Sequence, residues 1–155
     1  MEEKKLSPSA IRAWTITNLI GTLVILVIAV GVTIFFDLFD QYPKIMITIF
    51  SIIGVVGILS ISILPRLVWK YYAYAITQKE VFIRSGIIFM EKTFIPMIRV
   101  QHVTTEQGPI LRMFDLANLV IYTAGGDSFE IPAIKVSEAD ELRVQIMEWV
   151  KVEDE

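Results

Sequence analysis

Ala13-Trp14-Thr15-Ile16-Thr17-Asn18-Leu19-Ile20-Gly21-Thr22-Leu23-Val24-Ile25-Leu26-Val27-Ile28-Ala29-Val30-Gly31-Val32-Thr33-Ile34-Phe35-Phe36 runs without a charged residue, and its reading decides the fold class. A helix needs roughly 20 apolar residues to cross a hydrocarbon core of about 30 Å. This run is long enough. A second uncharged run extends from Ile45 to Leu64 and is closed by Pro65 and Arg66. Its many β-branched residues would suit a strand in water. In a bilayer the backbone must satisfy its own hydrogen bonds, so helix is expected. Asp37 to Lys44 is a short polar link containing Pro43, so spans over about 14–36 and 45–64 are predicted to form a helical hairpin within 14–64.

The competing explanation for the first run is a cleaved signal peptide. Ala29-Val30-Gly31 offers small residues of the kind that peptidases cut after. However, the apolar run outlasts the 7–15 residues of such a segment, and another span comes directly after it. Two retained spans are expected.

Basic residues near the ends set orientation. Lys4, Lys5 and Arg12 precede the first run, and Arg66 and Lys70 come after the second. The link holds Lys44 beside Asp37 and Asp40. The expectation is a multi-pass protein of the cell membrane with both termini cytoplasmic. Trp14, Tyr42, Trp69, Tyr71 and Tyr72 stand where interfacial aromatics are expected. Ser51, Gly54, Gly57 and Ser60 recur every third residue of the second run and are the predicted helix-packing positions, chiefly against the first span.

The whole chain of 155 residues is 54% hydrophobic with a mean hydropathy of +0.60, yet the chain beyond Pro65 has ordinary polarity. Net charge is −3, which argues against a nucleic-acid partner. With no cysteine, disulfides, thiolate chemistry and cysteine metal sites are excluded.

From Val68 onward, short runs of Val, Ile, Thr, Tyr and Phe alternate with period two. They are broken at Thr77-Gln78-Lys79-Glu80, Ser85-Gly86, Gly108-Pro109 and Gly125-Gly126-Asp127. This predicts six or seven antiparallel strands, with the Gly-Gly-Asp segment a hairpin turn. Ser137-Glu138-Ala139-Asp140 reads as a helix start, a hydroxyl cap and then carboxylates. Ala139, Leu142, Ile146, Trp149 and Val150 then share one helical face, with Glu138, Glu141, Arg143 and Glu148 outward. The expected architecture is α+β, a β-barrel or sandwich capped by a C-terminal helix, over 66–151. A cytoplasmic tail over 1–13 and an acidic tail over 152–155 complete the expected layout.

Several segments carry a resemblance. Trp69-Lys70-Tyr71-Tyr72-Ala73-Tyr74, Ile83-Arg84-Ser85-Gly86, Ile95-Pro96-Met97-Ile98-Arg99-Val100-Gln101-His102-Val103, Gln107-Gly108-Pro109-Ile110-Leu111-Arg112, Tyr122-Thr123-Ala124-Gly125-Gly126 and Ile131-Pro132 occur in order behind the paired spans. This pattern resembles the bacterial PH-like (pleckstrin-homology-like) membrane proteins of the YdbS type. The resemblance implies a PH-like barrel or split barrel with a C-terminal helix and no known catalytic activity or cofactor. It also implies a larger relative with repeated domains of this kind as a partner.

The residues themselves agree with a non-enzyme. His102 is the single histidine, whereas a triad, a general-base pair or a two-histidine metal site needs partners. Arg99, Gln101 and His102 are candidates for a partner contact or for anchoring the loop ahead of Gly108-Pro109. Glu106, Asp115 and Asp127 show no paired spacing for acid–base work. A headgroup site would need converging cations; Lys79, Arg84, Lys92, Arg99, Arg112 and Lys135 stand singly, with Lys79 and Arg84 the best pair. Neither span holds an ionisable side chain, which weighs against transport. The expected function is a membrane-anchored binding and assembly module, as a homo-oligomer or in a hetero-complex with a larger PH-like relative. Sensing of anionic lipid headgroups is the alternative.

Overall fold

The computed structural model describes residues 2–153, the side chain of Glu153 excepted. The acidic tail expected over 152–155 lies largely outside the described residues. The chain divides into two compact units, one formed by Trp14–Arg66 and the other by the N-terminal residues together with everything from Leu67 onward.

Helix α1 (Ser9–Phe35) carries the first apolar run and begins before it, its residues from Trp14 onward lying in the first unit. At its end Asp37 adopts a left-handed conformation (φ 50°), which turns the chain into the short α2 (Leu38–Gln41). Helix α3 (Pro43–Ser62) comes next with Pro43 in its first turn, where a missing N–H costs nothing. Both long helices are apolar all round and almost wholly exposed in the isolated chain, 0% and 6% of their most apolar windows being buried. Such surfaces are matched to lipid rather than water.

Helix α4 (Leu64–Tyr71) enters the second unit at Leu67, where β1 (Ala73–Ile76), β2 (Glu80–Ser85) and β3 (Glu91–Pro96) form an antiparallel sheet in that order. A 3-10 turn (Met97–Arg99) connects it to β4 (Val100–Glu106), α5 (Pro109–Met113), β5 (Leu116–Thr123) and β6 (Ser128–Lys135), a second antiparallel sheet. Helix α6 (Val136–Glu153) closes the chain against β4, β5 and β6. The two three-stranded sheets do not join into a complete barrel. The core collects Tyr74, Val81, Ile95, Met97, Leu116, Leu119, Ile121, Ile131, Ile134 and Ile146.

Four expectations need correction. Residues 68–71 are helical, so β1 starts only at Ala73. Alternation breaks at β4, where the register shifts between Val100 and His102. That bulge turns both Val100 and Val103 inward and leaves His102 outside, because an extra residue moves the next side chains to the other face. Helix α6 starts at Val136, directly after β6, rather than at a Ser137 cap. Trp149 is only half-buried; the inward face is Ala139, Leu142, Ile146 and Val150.

The expected N-terminal tail is a structural part of the domain. Lys4 pairs with Tyr74 in an antiparallel bridge, its N–H donating to the Tyr74 carbonyl at 2.7 Å and its carbonyl accepting at 3.0 Å. Leu6 is 2% exposed. The segment thereby occupies the outer edge of β1, whose Ala73, Tyr74 and Ala75 are all buried.

Candidate functional site

The β1–β2 turn is held by Thr77, whose N–H and hydroxyl both donate to the Glu80 carbonyl, at 3.0 and 2.9 Å. Lys79 is exposed on this turn. Arg84 sits at the other end of β2, opposite Ala73. Five residues of strand separate them by roughly 17 Å at about 3.3 Å per residue, and an odd spacing puts them on opposite faces. Arg84 is also committed, with Nη2 3.0 Å from Glu3 Oε2. Lys79 and Arg84 therefore do not converge on one anion.

Arg99 and Gln101 are exposed. His102 stacks on Tyr122, its partner across β4 and β5, with ring centroids 4.4 Å apart and planes 12° from parallel. The loop ahead of Gly108-Pro109 is anchored by a residue outside that cluster: Gln107 Nε2 donates to the Leu116 carbonyl at 2.9 Å. Among the described residues no group of His, Cys, Asp and Glu side chains could hold a metal ion.

A polar cluster that periodicity missed joins three elements. Tyr74, fully buried, donates its hydroxyl to Glu138 Oε1 at 2.9 Å. Lys4 Nζ lies 3.8 Å from the same oxygen. Glu138 is thus not a purely outward residue. Burial, and secondly the Glu138 contact, raises the Tyr74 phenol well above its ordinary range. The neighbouring Tyr72 is raised by burial and by Glu130, and its hydroxyl donates to the Glu130 carbonyl. Beside this cluster is a cleft of 230 Å³ lined by Lys4, Tyr74, Thr77, Leu142, Gln145 and Trp149 among others. Trp149 forms a wall of this cleft, which accounts for its partial exposure.

Within the helical hairpin the small residues divide. A Cβ on Gly57 would meet Thr22 Cγ2 at 2.6 Å, so any larger residue there requires the Thr22 side chain to move. One turn on, Asn18 Nδ2 donates to the Ser60 carbonyl at 2.7 Å. Gly54 has open space around it, and Ser51 is exposed, lining a shallow groove with Ile47, Ile52 and Val55. Each three-residue step turns about 300°, so Ser51 ends up on the side opposite Ser60.

Known proteins are similar to this chain in sequence over nearly its whole length. The model of a family described as Bacterial PH domain matches residues 16–149, spanning the helical hairpin and the domain. This chain belongs to the bacterial PH domain family. It is 32% identical over 154 residues to the UPF0699 transmembrane protein YdbS of Bacillus subtilis, covering 99% of this chain and 96% of that one. The UPF0699 transmembrane protein YdbT of the same organism is 32% identical over 78 residues, 48% of this chain but 16% of YdbT. The protein is accordingly a membrane protein with a bacterial PH domain, and the resemblance carried by its sequence motifs is correct.

Proposed function

We propose that this chain is a membrane-anchored binding and assembly module whose PH-like domain engages protein, most favourably another PH-like domain. The observation that carries this reading is the open edge of β3. Among the described residues β3 pairs only with β2, and it presents Phe94 at 56% exposure; four residues on, in the 3-10 turn after the strand, Ile98 is 69% exposed. An unpaired strand edge with exposed apolar side chains favours strand addition by a partner. A larger relative exists: the stretch that YdbT shares with this chain is 16% of its own length, and a protein of that kind is the partner proposed. The dispersed cations and the engaged Arg84 argue against headgroup sensing. The domain faces the cytoplasm in this reading, with both termini inside and the link around Gln41 outside, in accord with the basic residues.

Hydrogen exchange of the full chain in nanodiscs tests the partner. Addition of the larger PH-like relative is expected to protect β3, and Phe94→Glu to abolish that protection. Protection that instead centres on Lys79, needs anionic lipid and vanishes in the Lys79→Glu/Arg84→Glu double variant would replace the reading with lipid sensing. For orientation, Gln41→Cys is expected to react with an impermeant reagent on intact cells, and Glu130→Cys is not.

A further inference from the structure

The most exposed apolar cluster of the domain is the tip of the β2–β3 hairpin. Ile88 is 86% exposed, Phe89 89% and Met90 53%. The tip is a built turn. Ser85 pairs with Glu91, so residues 86–90 form the whole connection. Gly86 closes it at φ 105°, and a Cβ there would lie 1.9 Å from the Phe89 carbonyl oxygen. No other residue fits this position without moving the backbone, so the turn holds its three apolar side chains outward.

The location of the tip gives these side chains an occupant. Ala73 opens β1 and pairs with Arg84, close to the end of β2. The hairpin tip therefore lies at the end of the sheet where the chain arrives from the second span. Helix α4, eight residues long, leads the chain into this end of the sheet. That helix carries Arg66, Trp69, Lys70 and Tyr71, the residue types that gather at membrane interfaces. Glu91 and Lys92 come after the tip with opposite charges, so the feature is apolar rather than cationic. We infer that Ile88, Phe89 and Met90 insert into the boundary between headgroups and acyl chains of the bilayer that holds the spans. The tip is then a membrane attachment separate from the two spans. This inference does not depend on the partner proposed above, because it rests on residues 88–90 rather than on Phe94.

The natural chain lacks cysteine, so Phe89→Cys gives a single labelling site. The full chain carrying an environment-sensitive fluorophore there is reconstituted into phosphatidylcholine vesicles with brominated acyl chains. Gln78→Cys, exposed on the turn at the opposite end of the sheet, is the reference. The expected result is a blue-shifted emission at position 89, quenched several-fold more by brominated lipid than at 78. The effect should persist at high salt and without anionic lipid, because apolar burial is not screened. Ile88→Cys should behave likewise. Quenching at 89 no greater than at 78 would overturn the inference. So would a label shielded from aqueous iodide yet not reached by brominated lipid, since protein would then cover the tip. Insertion that disappears at high salt would also overturn it, as adsorption through charge.

Discussion

The two sheets of the domain are built from the same kinds of residues and end in different states. In the second sheet β5 is buried at six of its eight positions, because α6 lies across β4, β5 and β6. In the first sheet β3 is buried at one position of six. Its other side strand, β1, is enclosed, with Lys4 bonded along its outer edge. Covering elements, not strand composition, decide how much of each sheet is core. The difference shows at the surface: the second sheet is largely covered, and the first leaves Phe94 of its edge strand and the 88–90 tip exposed.

The sharpest test of this contrast is a pair of truncations in the full chain in detergent, read by denaturant or thermal unfolding. Ile146→Ala, in the fully buried face of α6, is expected to cost about 2–5 kcal/mol, as large-to-small core changes do. Phe94→Ala on β3 should cost under about 1 kcal/mol, within the range of surface changes. Similar losses would break the comparison. Trp149→Ala should fall between them, because the ring is half-buried against the cleft.

Leu6→Ala asks whether the N-terminal segment is a true covering element. Leu6 is 2% exposed, but it sits in a short irregular segment able to relax, so a loss of about 2 kcal/mol is expected. No loss would mean that β1 keeps its structure without this cover.

Alkaline unfolding probes the polar cluster between the covered elements. Burial raises the phenols of Tyr72 and Tyr74 above their ordinary range, so the folded chain keeps protons that the unfolded chain releases. Stability is therefore intact below the ordinary tyrosine pKa of about 10 and declines as pH rises above it. Tyr74→Phe should lower stability at neutral pH by about 1 kcal/mol, a typical net hydrogen bond, and flatten the alkaline decline. An unchanged pH profile would remove Tyr74 from the account.

The smallest expected effect is at the surface. Glu3→Gln breaks the ion pair with Arg84, in which the side chains are 41% and 27% exposed, and should cost no more than about 1 kcal/mol. A much larger cost would mark this pair, rather than Leu6, as the clasp holding the segment to the sheet.

By itself the sequence determined the features that arise from local chemistry and run length. The uncharged stretches before Phe36 and before Pro65 required helices able to cross a bilayer, since their backbone groups can pair only within the helix. The alternation through Val81, Leu119 and Ile131, with Gly125-Gly126-Asp127 between strands, required antiparallel sheet, and the order of motifs identified the family. Period alone could not show the bulge after Val100, because an extra residue leaves no compositional trace. Nor could it show that Lys4 and Leu6 belong to the domain, since no apolar repeat marks so short a segment and its partner Tyr74 is about seventy residues away. The candidate contacts were legible as residue types but not as a site. Lys79 and Arg84 look adjacent in the chain, and strand geometry sends them to opposite faces and ends. Ser51 and Ser60 look equivalent, and helical twist puts them on opposite sides. Which side chains meet depends on long-range pairing, and that pairing only the tertiary structure decides.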